Sequence, residues 1–175
     1  MKDQKEILAV PSFRQSPAMC GPASLKMVLM YFNHPFGERT DVEIAEVCGT
    51  DPAVGTPPKA LIAGAEKIGL TCVSKEDASF SDIKEWLDKK VPVIVDWFSP
   101  GTKVRDEEEM PDGHYSVVVG LDDTHIYIQD PATGGGLRTI ERDEFYRVWF
   151  DFEGDSLTYP PNLIVRFMLA PYPKT

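Results

Sequence analysis

A nearly continuous apolar stretch follows a Cys-Gly-Pro triplet near the amino terminus, and it constrains the fold more than any other feature of the chain. The segment reads QSPAMCGPASLKMVLMYF and covers residues 15–32. Proline is tolerated in the first turn of a helix, where its missing N–H would be unpaired anyway. We therefore predict a helix that begins at Gly21 or Pro22, ends near Phe32 and, being apolar almost all round, lies at the centre of the fold.

The thiol of Cys20 is thereby placed at a helix N-terminus. The positive end of the helix dipole and the unpaired backbone N–H groups there favour a thiolate, which makes Cys20 a candidate nucleophile. The alternative is a small apolar core residue, which is our expectation for Cys48 and Cys72. Three widely spaced cysteines match neither a disulfide framework nor a paired-ligand metal site, and they favour free thiols in a reducing compartment.

The composition narrows the class of protein. The chain has 175 residues, enough for one domain with a real core, and we expect a single domain over residues 1–175. Its 28 acidic and 18 basic residues give a net charge of -10, which argues against nucleic acid or an anionic membrane as a partner. No run of eighteen apolar residues and no apolar signal region occur, so we expect a soluble, cytoplasmic protein. The sequence does not indicate an oligomeric state.

The first half of the chain carries helix signals. Thr40 and Glu43 form a capping-box pattern, and a glycine after a periodic segment is typical of a helix end. A strand rich in β-branched and aromatic residues, VPVIVDWF, follows the last of these helices. Three further helices are predicted: one after Thr40 that ends at Gly49, one after Pro57 and Pro58 that ends near Gly69, and one over SDIKEWLDKK capped by Ser81.

The second half is rich in strand patterns. HYSVVVGL and HIYIQD predict a hairpin, and NLIVRFML predicts a last strand, with a short amphipathic helix over RDEFYRVWF between them. Helices followed by antiparallel strands are typical of the α+β class.

A nucleophilic cysteine needs a base, and the chain has three histidines. His114 is the best placed, because it begins a strand directly after a Pro-Asp-Gly turn signal. His34 lies in a loop at the far end of the central helix, and His125 lies at the turn of the predicted hairpin, where we expect it at the surface.

Asp130 ends the second strand of that hairpin and returns to the end where His114 begins. If Leu121 pairs with His125 around a three-residue loop, His114 lies opposite Ala132, and Asp130 is its diagonal neighbour on the same face. A two-residue loop would place the two side chains on opposite faces. The alternative for Asp130 is an ordinary turn residue before proline.

Two loops are of interest beside these residues. Gln15 is a candidate donor to an oxyanion, since a side-chain amide with the backbone N–H of the nucleophile is a common arrangement; the alternative is an exposed loop glutamine. The long acidic stretch from Ser99 to Gly113 leads into His114, and we predict that it borders the cleft and favours basic substrates, with a solvated connector as the alternative.

QSPAMCGPASLKMVL, GHYSVVVG and IYIQDPATGG together resemble the double-glycine leader peptidases, cysteine peptidase family 39 of the papain-like superfamily. The resemblance implies Cys20 as nucleophile, His114 as general base and then acid, Asp130 as the group that orients the imidazole, and Gln15 as oxyanion donor. It also implies a papain-like α+β fold, in which a helical half with a central helix after the nucleophile packs on a C-terminal antiparallel sheet, with the cleft between them. The chain departs from the family where Gln15 stands five residues before the cysteine instead of six and where Met19 replaces an acidic residue.

These observations favour a stand-alone cysteine peptidase that hydrolyses a peptide bond through a thioester, without a metal or organic cofactor. Its partner would be a peptide or protein substrate, such as a leader peptide, and the sequence does not specify which. Two alternatives stay open: a non-catalytic leader-peptide-binding domain of the same fold, and a papain-like transpeptidase or amidase that uses the same residues.

Overall fold

The computed structural model describes residues 6–99, 112–153 and 162–174, and within these ranges helices pack against an antiparallel sheet, as the α+β prediction requires. The helices are α1 (Cys20–Tyr31), a 3-10 turn (Pro35–Glu38), α2 (Asp41–Cys48), α3 (Pro58–Ile68), α4 (Phe80–Asp88) and α5 (Arg142–Val148). The strands are β1 (Leu70–Lys75), β2 (Val93–Ser99), β3 (Asp112–Leu121), β4 (His125–Gln129), β5 (Leu137–Glu141), β6 (Phe150–Glu153), β7 (Asn162–Val165) and β8 (Phe167–Pro173). The six-stranded sheet has the order β1-β8-β2-β3-β4-β5, and β6 and β7 form a separate two-stranded sheet.

Helix α1 is the central helix, and every residue from position 21 to position 29 is buried. It packs on β3 and on α2 and α3. A Cβ atom on Gly21 would lie 3.3 Å from both the Thr56 side chain and the Tyr115 ring, closer than most real Cβ contacts. The glycine after Cys20 therefore lets the start of α1 approach the sheet closely.

The capping signals define where the helices begin. Thr40 and Glu43 form the predicted capping box at the start of α2. The prediction of Ser81 as the cap of α4 is wrong, because the helix begins at Phe80 and Ser79 is the N-cap. Ser79 and Asp82 form a second capping box, with the Ser79 backbone N–H donating to Asp82 at 2.7 Å. Two reciprocal bonds favour this start of the helix over one at Ser81.

The sheet has strands that the sequence patterns did not predict. Strand β1 interrupts the helical half and pairs with β8 at the edge of the sheet, where only its first residue is buried. Strand β5 forms the opposite edge beside β4. The predicted last strand is divided at Arg166, whose positive φ of 45° breaks the extended conformation between β7 and β8.

The β3–β4 hairpin has a register that changes along its length. The predicted pairing of Leu121 with His125 is wrong, because Leu121 pairs with Ile126. A β-bulge in the middle of β3 adds one residue to that strand and compensates, so that Val117 pairs with Gln129, as the predicted register requires. The end of the hairpin that carries His114 therefore has the predicted alignment.

No helix in the three described ranges is long and apolar enough to cross a membrane. The acidic stretch predicted to border the cleft falls mostly on positions 100–111, outside the described residues, so its placement stays a prediction.

Candidate active site

Cys20 is the first residue of α1 and is partly exposed. Met19, the residue before it, has no side-chain capping bond, and Ala18 adopts a left-handed conformation with φ of 62°. The backbone N–H groups of the first turn therefore have no capping side chain, and the Cys20 sulfur lies at the positive end of the helix dipole.

His114 and Asp130 are in direct contact. The distance between His114 Nε2 and Asp130 Oδ1 is 2.6 Å, and the two side chains are 13% and 1% exposed. Cys20 is a further neighbour of the His114 ring and, together with Asp130, raises the pKa of His114. Since Nε2 is held by Asp130, Nδ1 is the ring nitrogen left for Cys20. The fold thus brings together the predicted nucleophile, base and orienting carboxylate.

The charges in this group support one another. Burial opposes a charged His114, but the hydrogen bond to Asp130 and the interaction with Cys20 outweigh it and raise the pKa of His114 to about 10. Burial likewise opposes a charged Asp130, but the bond to His114 and further donors lower the pKa of Asp130 to about 2. An imidazolium held between a carboxylate and a thiol is therefore favoured near neutral pH.

Cys48 and Cys72 have the environments of core thiols. Burial raises the pKa of Cys48 to about 11 and that of Cys72 to about 12. The thiolate is the reactive form, so at about pH 6.5 we expect iodoacetamide to label Cys20 first. Peptide mapping by mass spectrometry after partial alkylation measures the order, with a Cys20→Ala protein as control. Faster labelling of Cys48 or Cys72 would contradict the assignment of the nucleophile.

Gln15 lies in a loop that is anchored on both sides. Its backbone N–H donates to the Pro131 carbonyl at 2.9 Å, beside Asp130. The next residue, Ser16, donates its backbone N–H to the buried Asp41 carboxylate at 2.6 Å. The Gln15 side chain is half-buried, and its Oε1 is enclosed with no hydrogen-bond partner among the residues that the structure describes.

The other two histidines have local roles. His34 caps the 3-10 turn, and its Nδ1 accepts a bond from the Phe36 N–H at 3.2 Å. His125 is 37% exposed at the turn of the hairpin, where its ring bonds to Thr124 at 2.8 Å. Both placements are the predicted ones.

Sequence reasoning missed two residues that enclose the pair of His114 and Asp130. Arg138 donates to Asp130 Oδ2, and its guanidinium lies 5.2 Å from the centre of the Trp97 ring. Trp97 packs beside His114, with the ring centres 6.3 Å apart, and its indole N–H donates to Ser116 at 3.0 Å. Arg138 lies on β5, a strand that was not predicted, and Trp97 is part of an ordinary apolar strand pattern.

A second missed feature is a carboxyl group behind Cys20. Asp96 is 1% exposed, and neither of its oxygens has a hydrogen-bond partner within the described residues. Burial, followed by the nearby Asp151 carboxyl and Cys20, raises the pKa of Asp96 and favours its neutral form. Asp151 in turn lies against Gly113, so a Cβ atom at this position, just before His114, would require the Asp151 carboxylate to move.

The fold defines a class of protein, the domains that share the C39 peptidase fold. The model of the Peptidase_C39 like family matches residues 7–157, and the chain belongs to this family.

Curated relatives show where such domains occur. The transport/processing ATP-binding protein ComA of Streptococcus pneumoniae, in strains ATCC BAA-255 / R6 and ATCC BAA-334 / TIGR4, is 29% identical over 147 residues. The match covers 82% of this chain and 18% of the relative, so the chain spans only a small part of the length of these relatives.

Solved structures share the fold over nearly the whole chain. The peptidase domain of Streptococcus ComA, a bi-functional ABC transporter involved in a quorum-sensing pathway, has a TM-score of 0.67 at 18% identity, covering 98% of this chain and all of that one. A double glycine motif protease from an AMS/PCAT transporter, solved with the leader peptide, has a TM-score of 0.64 at 22% identity, with coverage of 98% and 100%. A putative C39-like peptidase from Bacillus anthracis has a TM-score of 0.66 at 19% identity and covers 99% of each chain.

Proposed function

We propose that this chain is a cysteine peptidase, formed by a single domain over residues 1–175, that hydrolyses a peptide bond through a thioester intermediate in the cytoplasm. The observation that carries the proposal is the buried bond between His114 and Asp130, with Cys20 near enough to the imidazole to raise its pKa. Such an arrangement supports a thiolate that attacks a carbonyl and an imidazolium that then donates a proton.

In the first half of the reaction, the Cys20 thiolate attacks the carbonyl carbon of the scissile bond and a tetrahedral oxyanion forms. The Cys20 backbone N–H and the Gln15 side-chain amide donate to that oxygen. The His114 imidazolium gives its proton to the departing amine, the C–N bond breaks, and the acyl group stays on sulfur as a thioester.

In the second half, His114 acts as a base. Its neutral imidazole takes a proton from water, and the hydroxide attacks the thioester carbonyl. Collapse of the second tetrahedral intermediate breaks the C–S bond and releases the carboxylic acid product, which loses its remaining proton to solvent. Cys20 leaves as a thiolate beside the newly protonated His114, so the resting ion pair is restored and no metal or organic cofactor is needed.

We propose a peptide with a leader segment as the substrate class. One structural neighbour was solved in complex with a leader peptide, and it is described as a double glycine motif protease. The direct test incubates the protein with leader-type peptides that contain Gly-Gly and with matched peptides in which both glycines are replaced by alanine. Mass spectrometry reads the cleavage sites, and we expect cleavage after the second glycine.

The same experiment separates the alternatives. Addition of an amine such as glycinamide tests acyl transfer, which would appear as a product heavier than the hydrolysed one. Binding of the Gly-Gly peptide without any cleavage or thioester would contradict the peptidase and favour a leader-binding domain.

The role of Gln15 gives a prediction of its own. If its amide donates to the oxyanion, Gln15→Ala should lower kcat by roughly 10²–10³-fold with little change in KM. Its side-chain oxygen has no partner among the described residues, so the thermal midpoint should stay close to that of the parent. Steady-state kinetics and thermal unfolding measure the two effects. An unchanged kcat would show that the five-residue spacing places this amide outside the site.

A further inference from the structure

Arg138 forms the outer end of a chain of alternating charges that begins at the nucleophile. Asp130 lies between two cationic side chains: Oδ1 faces His114 Nε2 and Oδ2 accepts from Arg138. The Ala132 backbone N–H also donates to Oδ1, at 2.9 Å. In the ionised resting state, the order of charges from Cys20 outward is negative, positive, negative and positive.

The position of Arg138 is fixed by its surroundings. It lies on β5 opposite Ile128, and its guanidinium rests on the Trp97 ring, which also packs beside His114. Its side chain is 23% exposed, whereas that of Asp130 is 1% exposed. The cation thus closes the solvent side of a carboxylate that is otherwise enclosed, and it occupies the oxygen that His114 does not use.

We propose that Arg138 is a positioning residue, which holds the Asp130 carboxylate so that Oδ1 faces His114 and which limits how strongly Asp130 stabilises the imidazolium. The proposal rests on the peptidase function proposed above. Without Arg138, Oδ2 would be buried without this donor, and the carboxylate would lose one of the contacts that fix its orientation. His114 would also face an anion whose charge is no longer balanced, and its proton would be harder to transfer.

The sign of each charge change gives an order of activities. Arg138→Met leaves one unbalanced negative charge, Asp130→Asn leaves one unbalanced positive charge, and the double variant is neutral again. Removal of the Arg138 cation should favour the imidazolium form of His114. Removal of the Asp130 anion alone leaves Arg138 unpaired near His114 and should disfavour the imidazolium. The double variant should therefore be more active than Asp130→Asn, although it has lost one more side chain.

The expected magnitudes follow from these arguments. Arg138→Met should lower kcat by about tenfold at unchanged KM, and the alkaline limb of its pH profile should move to higher pH. Asp130→Asn should lower kcat by about 10²–10⁴-fold and move that limb to lower pH. Adding Arg138→Met to Asp130→Asn should raise kcat about tenfold, which is equivalent to one pKa unit. Arg138→Lys keeps the charge, so its kcat should lie between those of the parent and Arg138→Met.

Arg142→Met is the matched control. Arg142 also stacks on an aromatic ring, at 4.4 Å from the centre of Phe80, but its donors bind the Asp122 carbonyl at 3.1 Å, in the turn of the hairpin. This variant loses the same kind of cation–aromatic contact without a change in charge at Asp130. Its kcat and pH profile should match those of the parent.

The experiment measures peptide hydrolysis and, separately, the rate of Cys20 alkylation against pH for the parent and all five variants, with thermal unfolding to compare their folding. Alkylation of Cys20 does not require peptide hydrolysis. If the parent cleaves no peptide but the alkylation profiles of the variants still shift in the expected order, the result supports the role of Arg138 and contradicts only the proposed peptidase function. If Arg138→Met does not fold, Arg138→Lys provides the comparison. Equal alkylation profiles for the parent and the Arg138 variants, or a double variant no more active than Asp130→Asn, would overturn the proposal and leave Arg138 a packing residue.

Discussion

Replacement of Cys20 by alanine is expected to abolish peptide hydrolysis, with a loss of about 10⁴-fold or more, because the attacking sulfur is removed and no other thiol is near the base. Only a small change in stability is expected, since the side chain is partly exposed and alanine is well tolerated in a helix. Hydrolysis of the Gly-Gly peptide, followed by mass spectrometry, measures the loss.

Cys72→Ala is the matched control for this change. Cys72 is also a partly buried thiol, but its sulfur lies 4.0 Å from the Ile62 carbonyl, on the edge strand β1. Its removal should leave hydrolysis within a factor of about two. The Cys20→Ala protein should still bind the peptide, and titration calorimetry tests this. Hydrolysis that survives Cys20→Ala but not Cys72→Ala would place the nucleophile on β1 and contradict our mechanism.

Replacement of His114 by alanine should cause a loss of similar size, because this side chain both stabilises the thiolate and carries the proton to the leaving amine. Cys20 alkylation at about pH 6.5 should also become slower in this variant, since the thiol loses its cationic partner. Steady-state kinetics measure the loss of hydrolysis, and the alkylation assay measures the loss of the cationic partner of Cys20. Slower hydrolysis without slower alkylation would indicate a lost substrate contact instead of a lost base.

The parent should show the corresponding pH dependence. His114 must be protonated to act as the general acid, and its pKa is raised to about 10, so activity should persist above neutral pH and fall as the pH approaches about 10. His125→Ala is the control, because this ring bonds only to the hairpin turn, and its activity and pH profile should equal those of the parent. An alkaline limb near the ordinary histidine range in the parent would contradict the buried ion pair.

Much of the fold follows from local sequence signals. Pro22 after the cysteine, the capping box of Thr40 and Glu43, and the apolar run of the central helix each act over a few neighbouring residues, and the structure has the corresponding helices. The helix N-terminus at Cys20 belongs to the same group. Such features are predictable because the bonds that create them join residues a few positions apart.

The contact between His114 and Asp130 was predictable for a more indirect reason. A hairpin with a short turn fixes which residues share a face, so the two side chains meet 16 positions apart in the chain. The predicted pairing at the turn was wrong by one residue, and the bulge in β3 corrected it. The sequence therefore predicted the strand alignment at the end of the hairpin near His114, but it did not predict the β-bulge that produces this alignment.

Only the tertiary structure determined what surrounds this pair. Arg138 meets Asp130 because β5 lies beside β4, and Asp96 lies opposite Tyr115 because β2 lies beside β3. Neither contact has a periodic or spacing signal, since both depend on the order of strands across the sheet and on how α1 packs on it. The sequence by itself determined the candidate residues for the reaction, whereas the long-range packing decided the charges and the burial around them, because those energies come from residues that are distant in the chain.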